Sequence, residues 1–230
     1  MSSGIGTLKE TSLHAVLKQY YAQPGDEIEM GVGGYVIDIK RDGLLIEIQT
    51  SSFSKLKGKL QDLLPVYTVR VIHPIAQARW VQRIDSSGKQ VSRRKSPKKG
   101  RVEEMFRELL RIPAIATHPN FQLHIAMIHE EVIWCDDGKG SWRRKGWSVA
   151  EKNLLEVVET VSFEKGDDYL NLVPKDLKIP FTNRELAASA KLRPGLAQKM
   201  TYTLRKMNLL NMTGKRGRSL EFEPRPQMEM

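Results

Sequence analysis

Residues 27–50, EIEMGVGGYVIDIKRDGLLIEIQT, constrain the fold more than any other stretch. Three short β-rich runs are punctuated by Gly33-Gly34 and by Asp42-Gly43, and an Asp-Gly pair between alternating apolar runs is a strong local hairpin signal. With Asp42 and Gly43 as the central turn residues, Arg41 pairs with Leu44, Lys40 with Leu45, Ile39 with Ile46, and Asp38 with Glu47. Strand alternation then sets Leu45, Glu47 and Gln49 on one face and Leu44, Ile46 and Ile48 on the other. Two carboxylates end up directly opposed, with Cβ atoms roughly 4.5–5.5 Å apart, and like charges so placed are destabilising. A divalent cation shared by Asp38 and Glu47 is the expected reason for the arrangement.

The flanking segments predict helices packed on a sheet. Residues 7–21 read as an amphipathic helix with Leu13, Val16, Leu17 and Tyr20 on its buried face. Glu10 lies one turn before Leu13. It reads either as the glutamate of a capping box begun by Thr7 or as a carboxylate turned toward the pair. Residues 54–64 form a second helix, with Phe53, Leu56, Leu60 and Leu63 apolar and Pro65 closing it, and residues 67–73 form a buried strand. Lys55, Lys57 and Lys59 are either a solvated face or include one side chain that reaches back to the carboxylates. Helix, three strands, helix, strand implies a mixed α/β (α+β) architecture. Further strands are expected at 78–84, 121–129 and 130–135, and helices at 103–110 and 150–161.

Charge points to a polyanion. Lys and Arg outnumber Asp and Glu by 37 to 27, which favours contact with a phosphate backbone. The densest basic run is 89–101, KQVSRRKSPKKGR. Pro97 and Gly100 keep it from being a regular helix, and it reads as a surface loop whose Arg93, Arg94, Lys95, Lys98, Lys99 and Arg101 would grip phosphates. Trp142 and Trp147 flank Arg143, Arg144 and Lys145, a pattern that either stacks bases or simply packs. The single cysteine, Cys135, excludes an internal disulfide and fits a reducing cytoplasm. No membrane span and no signal peptide is legible, so a cytoplasmic protein is expected.

From residue 163 the pattern changes. A breaking linker leads to a short helix at 184–190 capped by Thr182 or Asn183, a turn at 192–195, a longer helix at 196–207, and a glycine-rich basic hairpin. That is the layout of a winged helix-turn-helix. The second helix is expected to expose Gln198, Lys199, Thr201, Tyr202 and Arg205, and the hairpin tip carries Lys215, Arg216 and Arg218. These cations form a phosphate-contacting set, although winged helices also serve as protein-binding modules. Two domains follow, at 1–162 and 163–230.

Residues 7–73 resemble the PD-(D/E)xK nuclease superfamily. The matching residues are Glu10 in the first helix, Asp38 on the second strand and Glu47-Ile48-Gln49 on the third, followed by the helix that holds Lys57 and Lys59. The resemblance implies a restriction-endonuclease-like αβββαβ core in which Glu10, Asp38, Glu47 and the Ile48 carbonyl hold Mg²⁺ or Mn²⁺. Gln49 stands where that family usually has lysine, and Lys57 or Lys59 would supply the missing ammonium. The expected activity is metal-dependent endonucleolytic cleavage of DNA, duplex or branched, with two-strand cleavage favouring a homodimer. The alternative is a DNA-binding regulator or adaptor that keeps the nuclease-like scaffold without the chemistry. Carboxylates turned to opposite sides of the sheet, or a lysine neutralising them where the ion belongs, would favour that alternative.

Overall fold

A computed structural model describes residues 12–140, 142 and 146–225. Glu10, with its cap partner Thr7, and Arg143, Arg144 and Lys145 lie outside the described residues. The first element is helix α1 (Ser12–Tyr21), followed by strands β1 (Glu27–Val32), β2 (Tyr35–Arg41) and β3 (Leu44–Ile48). A 3₁₀ turn (Phe53–Leu56) runs into α2 (Lys57–Leu63). Then come β4 (Thr68–Ile84), β5 (Gln90–Lys95), a second 3₁₀ turn (Val102–Met105), α3 (Phe106–Leu109), β6 (Phe121–Asp136) and β7 (Trp147–Phe163). These strands build a seven-stranded mixed sheet in the order β1-β2-β3-β4-β6-β7, with β5 added alongside β4.

The hairpin forms in the expected register. Arg41 faces Leu44, Lys40 faces Leu45 and Ile39 faces Ile46, and both Asp42 and Gly43 have positive φ, as a two-residue type I′ turn requires. β3 then runs parallel to β4, and β4 parallel to β6. The sheet is covered on both faces. Leu13 and Leu17 of α1 bury against Ile39, Ile46, Ile48 and Ile72 on one side. On the other, Leu60 and Leu63 of α2 join Ile37, Leu45, Val69 and Val71 in a larger cluster with Phe106 and Leu109. Val16 and Tyr20, expected on the buried face of α1, are instead 43% and 57% exposed, because the helix lies on a narrow strip of sheet that only Leu13 and Leu17 reach.

Three expectations are corrected. Residues 150–161 are strand, not helix: β7 pairs antiparallel with β6 along its whole length. The two expected strands at 121–129 and 130–135 are one continuous strand, β6. The basic run is not wholly a loop, since residues 90–95 form β5 against the second half of β4.

After β7, α4 (Gly166–Leu170) sets the buried Tyr169 ring against Phe163, stacked at 5.1 Å. The C-terminal unit comprises β8 (Phe181–Thr182), α5 (Asn183–Ser189), α6 (Pro194–Lys206), β9 (Leu210–Arg216) and β10 (Ser219–Pro224), with a three-stranded sheet ordered β8-β10-β9. Thr182 caps α5 through a reciprocal box: its hydroxyl accepts from the Glu185 amide at 3.3 Å, and the Glu185 carboxylate accepts from the Thr182 amide at 2.8 Å. Leu186, Leu196, Met200 and Leu204 belong to the same buried cluster as Phe106 and Leu109, so the hydrophobic core runs unbroken from the large sheet into this unit. Among the described residues no helix is long and apolar enough to cross a membrane.

Candidate active site and nucleic-acid contacts

Asp38 sits where strand geometry is interrupted. Its neighbours Ile37 and Ile39 bury on opposite faces of the sheet, in the α2-side and α1-side clusters respectively. Strict alternation would place both on one face. Across the β1 ladder, Ile28 pairs with Ile39 and Met30 with Ile37, leaving out Glu29 at φ 54° and Asp38 opposite it. The paired register of β2 with β3 likewise stops at Ile39 and Ile46, one step short of Asp38 and Glu47. The Asp38 carboxylate occupies the opening, where it accepts a hydrogen bond from the Ile48 amide at 2.8 Å and meets His14 Nε2 of α1 at 3.2 Å.

Glu47 points to the α2 side, with only 6% of its surface exposed. Lys59 of α2 reaches it: Nζ donates to Glu47 Oε1 at 2.5 Å and to the Val36 carbonyl at 2.6 Å. Lys57, half a turn away, is exposed and takes no part. The helix therefore selects Lys59 from the two candidates. Gln49 is also redirected. Its amide donates to Ser51 Oγ at 2.9 Å and to the Ser52 carbonyl at 3.0 Å, bracing its own loop and leaving no role beside the carboxylates. His14 was not anticipated. Only its place four residues after Glu10 in the sequence offered a signal.

The two acids respond oppositely to this setting. Burial opposes ionisation of Asp38, yet hydrogen bonds from His14 and the Ile48 amide, with the charges of His14 and Lys59, hold its carboxyl below the usual range. Burial pushes Glu47 up to about 7; Lys59 pulls it down, and the Asp38 charge raises it further. The ammonium thus fails to offset the desolvation of Glu47, whereas that of Asp38 is more than offset. Carboxylate oxygens are hard donors of the kind that suits Mg²⁺ or Mn²⁺. Among the described residues no third His, Cys, Asp or Glu completes a metal-binding group with them.

The cations expected to touch nucleic acid divide into two groups. Arg101 turns inward: its guanidinium pairs with the buried Glu103 at 2.6 Å and donates to the Ala190 and Lys191 carbonyls at the end of α5, tying the large sheet to the C-terminal unit. Arg216 is held by Glu185 at 2.6 Å and by Glu221 at 2.5 Å, which folds it against its own hairpin. Arg93 pairs with Glu131 at 2.7 Å and Lys98 with Glu104 at 2.8 Å, while Lys95 lies over the Trp80 ring at 4.8 Å. Arg94, Lys99, Lys215 and Arg218 are exposed, and Lys199 and Arg205 are half-buried on α6 beside the exposed Tyr202. Thr201, expected at the surface, is 1% exposed and donates to Asn183 Oδ1 at 2.6 Å. Trp147 packs on Arg83, whose guanidinium lies 5.1 Å from the ring centre.

Fold and site together define a mixed α/β sheet protein that keeps two carboxylates at a break in its sheet. The chain belongs to the DUF8091 family, a domain of unknown function, which matches residues 11–164 and so ends one residue beyond β7. It is also similar, 32% identical over 226 residues, to a protein of Treponema pallidum (strain Nichols) named only as an uncharacterized protein. That alignment covers 96% of this chain and 88% of the relative, and so includes the C-terminal unit. No solved structure matches the chain.

Proposed function

We propose that the protein is a metal-dependent DNA endonuclease of the PD-(D/E)xK type, holding its substrate with a C-terminal winged helix. The observation that carries this reading is electrostatic: Asp38 meets His14 of α1 and Glu47 meets Lys59 of α2, yet the Asp38 charge raises the Glu47 pKa and the Lys59 charge lowers that of Asp38. The order α1, β1-β2-β3, α2, β4, with one helix on each face, is the αβββαβ core that the resemblance implies. Asp38, Glu47 and the Ile48 carbonyl would hold Mg²⁺ or Mn²⁺, which supplies an acidified water and offsets charge on the scissile phosphate. Lys59 commits two of its three ammonium hydrogens, to Glu47 and Val36. The third is left to donate to a phosphate oxygen or to orient the attacking water. The Asp38 carboxylate stays ionised as a ligand, and Glu47 completes its ionisation when the ion binds. The test is incubation of plasmid and branched DNA with Mg²⁺ or Mn²⁺. Cutting is expected from the wild type and not from Asp38→Ala or Glu47→Ala; cutting that survives both substitutions sinks the assignment.

A second reading has its own observation. Both carboxylates already have a nitrogen side chain within about hydrogen-bonding distance, the Lys59 ammonium on Glu47 and the His14 imidazole on Asp38, which is the arrangement expected of a DNA-binding scaffold without chemistry. Calorimetry with Mn²⁺ separates the two. A nuclease takes up the ion and releases protons near neutral pH, whereas a scaffold binds DNA and gives no metal heat.

A further inference from the structure

The large sheet has an internal gap that the cleavage site does not use. β3 pairs with β4 only from Thr68 to Ile72, and β5 takes up the same side of β4 only from Trp80 onward. Between them β4 has no neighbouring strand. The Ile72 carbonyl accepts from Gln49 and the Ala76 carbonyl from Gly100 on this side. Pro74, at the intervening even position, therefore turns its missing N–H into the gap, where no ladder bond is lost. The 50–52 loop, the 96–100 segment and α3 wall the space into a cavity of about 280 Å³.

Its wall combines hydroxyl and guanidinium donors with the carboxylates of Glu104 and Glu108. Ser51 Oγ accepts from Gln49 and Ser96 Oγ accepts from the Lys98 amide, which leaves each hydroxyl hydrogen to donate elsewhere. Glu130 holds Arg79 through Nε, so the ends of that guanidinium fork have no partner among the described residues. Arg107 makes only a 4.0 Å contact with Glu104. The two acids in the wall are already engaged: Glu104 accepts from Lys98 at 2.8 Å, and Glu108 accepts from the Phe53 amide at 3.1 Å. Gly100 lets the 96–100 segment close against β4, because a Cβ there would fall 2.2 Å from the Ala76 carbonyl oxygen and push the segment away.

We propose that this cavity binds a phosphate group through Arg79, Arg107, Ser51 and Ser96. Resting on the function proposed above, that phosphate belongs to the strand being cut. The cavity opens on the same side of the sheet as Glu47 and begins three residues beyond it, at Thr50. Three residues of chain reach at most ~10 Å, which keeps the cavity within a few nucleotides of Glu47 along one strand. It is thus a subsite that sets where the strand lies relative to the cut.

The test compares the full chain with Arg107→Gln, a change that removes no short contact, and with Lys175→Gln, an exposed lysine elsewhere. Binding of a 20-base-pair duplex is measured without divalent cation over a range of salt. Arg107→Gln is expected to weaken binding about fivefold at 0.1 M salt and to reduce the slope of log K against log salt by about one, as the loss of one phosphate contact does. Lys175→Gln should match the wild type. An unchanged slope and affinity for Arg107→Gln overturns the subsite. If the wild type binds no duplex, the strand source is wrong, and inorganic phosphate decides the rest. Calorimetric binding of phosphate that Arg107→Gln reduces tenfold retains a phosphate pocket, and absence of such binding rejects it. Failure to cut DNA, with the slope change intact, counts against the nuclease reading alone.

Discussion

The carboxylate site and the two basic segments, 89–101 and 210–218, were equally conspicuous as patterns of charge, yet they fold differently. Asp38 and Glu47 lie one step beyond the last paired residues of the hairpin, Ile39 and Ile46, where Asp38 meets His14 and Glu47 meets Lys59. Of the cations in the basic segments, Arg101 and Arg216 are turned back into the protein, and Arg93 and Lys98 lean on acids from other elements. The difference lies in side-chain reach. A carboxylate on a strand stays within one or two bonds of its Cβ, so backbone register fixes its place. A guanidinium on a long flexible stem selects its partner from the tertiary fold. Acid patterns on strands therefore narrow the choice of candidate residues more than basic runs do.

The sharpest way to break that contrast is to remove the acids. Asp38→Ala and Glu47→Ala are each expected to lower metal-dependent cleavage at least 100-fold, on the order of 3 kcal/mol in the barrier, with near-ultraviolet circular dichroism confirming the fold. Next, Arg101→Ala should destabilise the chain by ~1–3 kcal/mol in urea melts, since the buried Glu103 loses its partner and α5 loses two capped carbonyls. Arg94→Ala, on the same segment but exposed, should stay within ~0.5 kcal/mol of wild type while binding DNA more weakly. Equal melts for the two variants would show that the structural and surface cations are not distinct. Gly100→Ala should cost ~1–3 kcal/mol by overpacking against Ala76.

A smaller effect tests the charge deficit itself. The folded pKa of Glu47, about 7, lies above its ordinary value. Its contribution to stability is full below pH ~4.5 and is lost as pH rises through 7. Glu47→Gln keeps an acceptor for Lys59 and cannot ionise, so the fall in stability from pH 5 to 8 should flatten by on the order of 1–3 kcal/mol. A wild-type profile no steeper than that of the variant would mean Lys59 offsets the charge fully.

The hairpin and the αβββαβ order were legible because each rests on local chemistry: an Asp-Gly turn, period-two alternation, and Pro65 ending a helix. β7 was not. Its pairing with β6 skips Ala150, Leu155 and Val158, one extra residue at each of three bulges. Those insertions put Leu154 and Val157 against the α1-side cluster and Val161 against the α2-side cluster, so that half-buried apolar residues recur at spacings of three and four, with Leu155 and Val158 turned out at 46% and 39% exposure. A bulged strand thereby imitates helical periodicity. The choice of Lys59 over Lys57, and the bracing role of Gln49, depended on how α2 and the 50–52 loop settle on the sheet, which no local pattern encodes.

The same bulges bear on how two copies could meet. An open sheet edge invites another chain to add a strand to it, and β7 is the longer of the two ends of this strand order, seventeen residues against the six of β1. With a misfit residue inserted at three points, its outward amides and carbonyls fall out of step with any regular partner. Should cutting both strands of a duplex require a pair of molecules, they would join through side-chain surfaces rather than by extending the sheet.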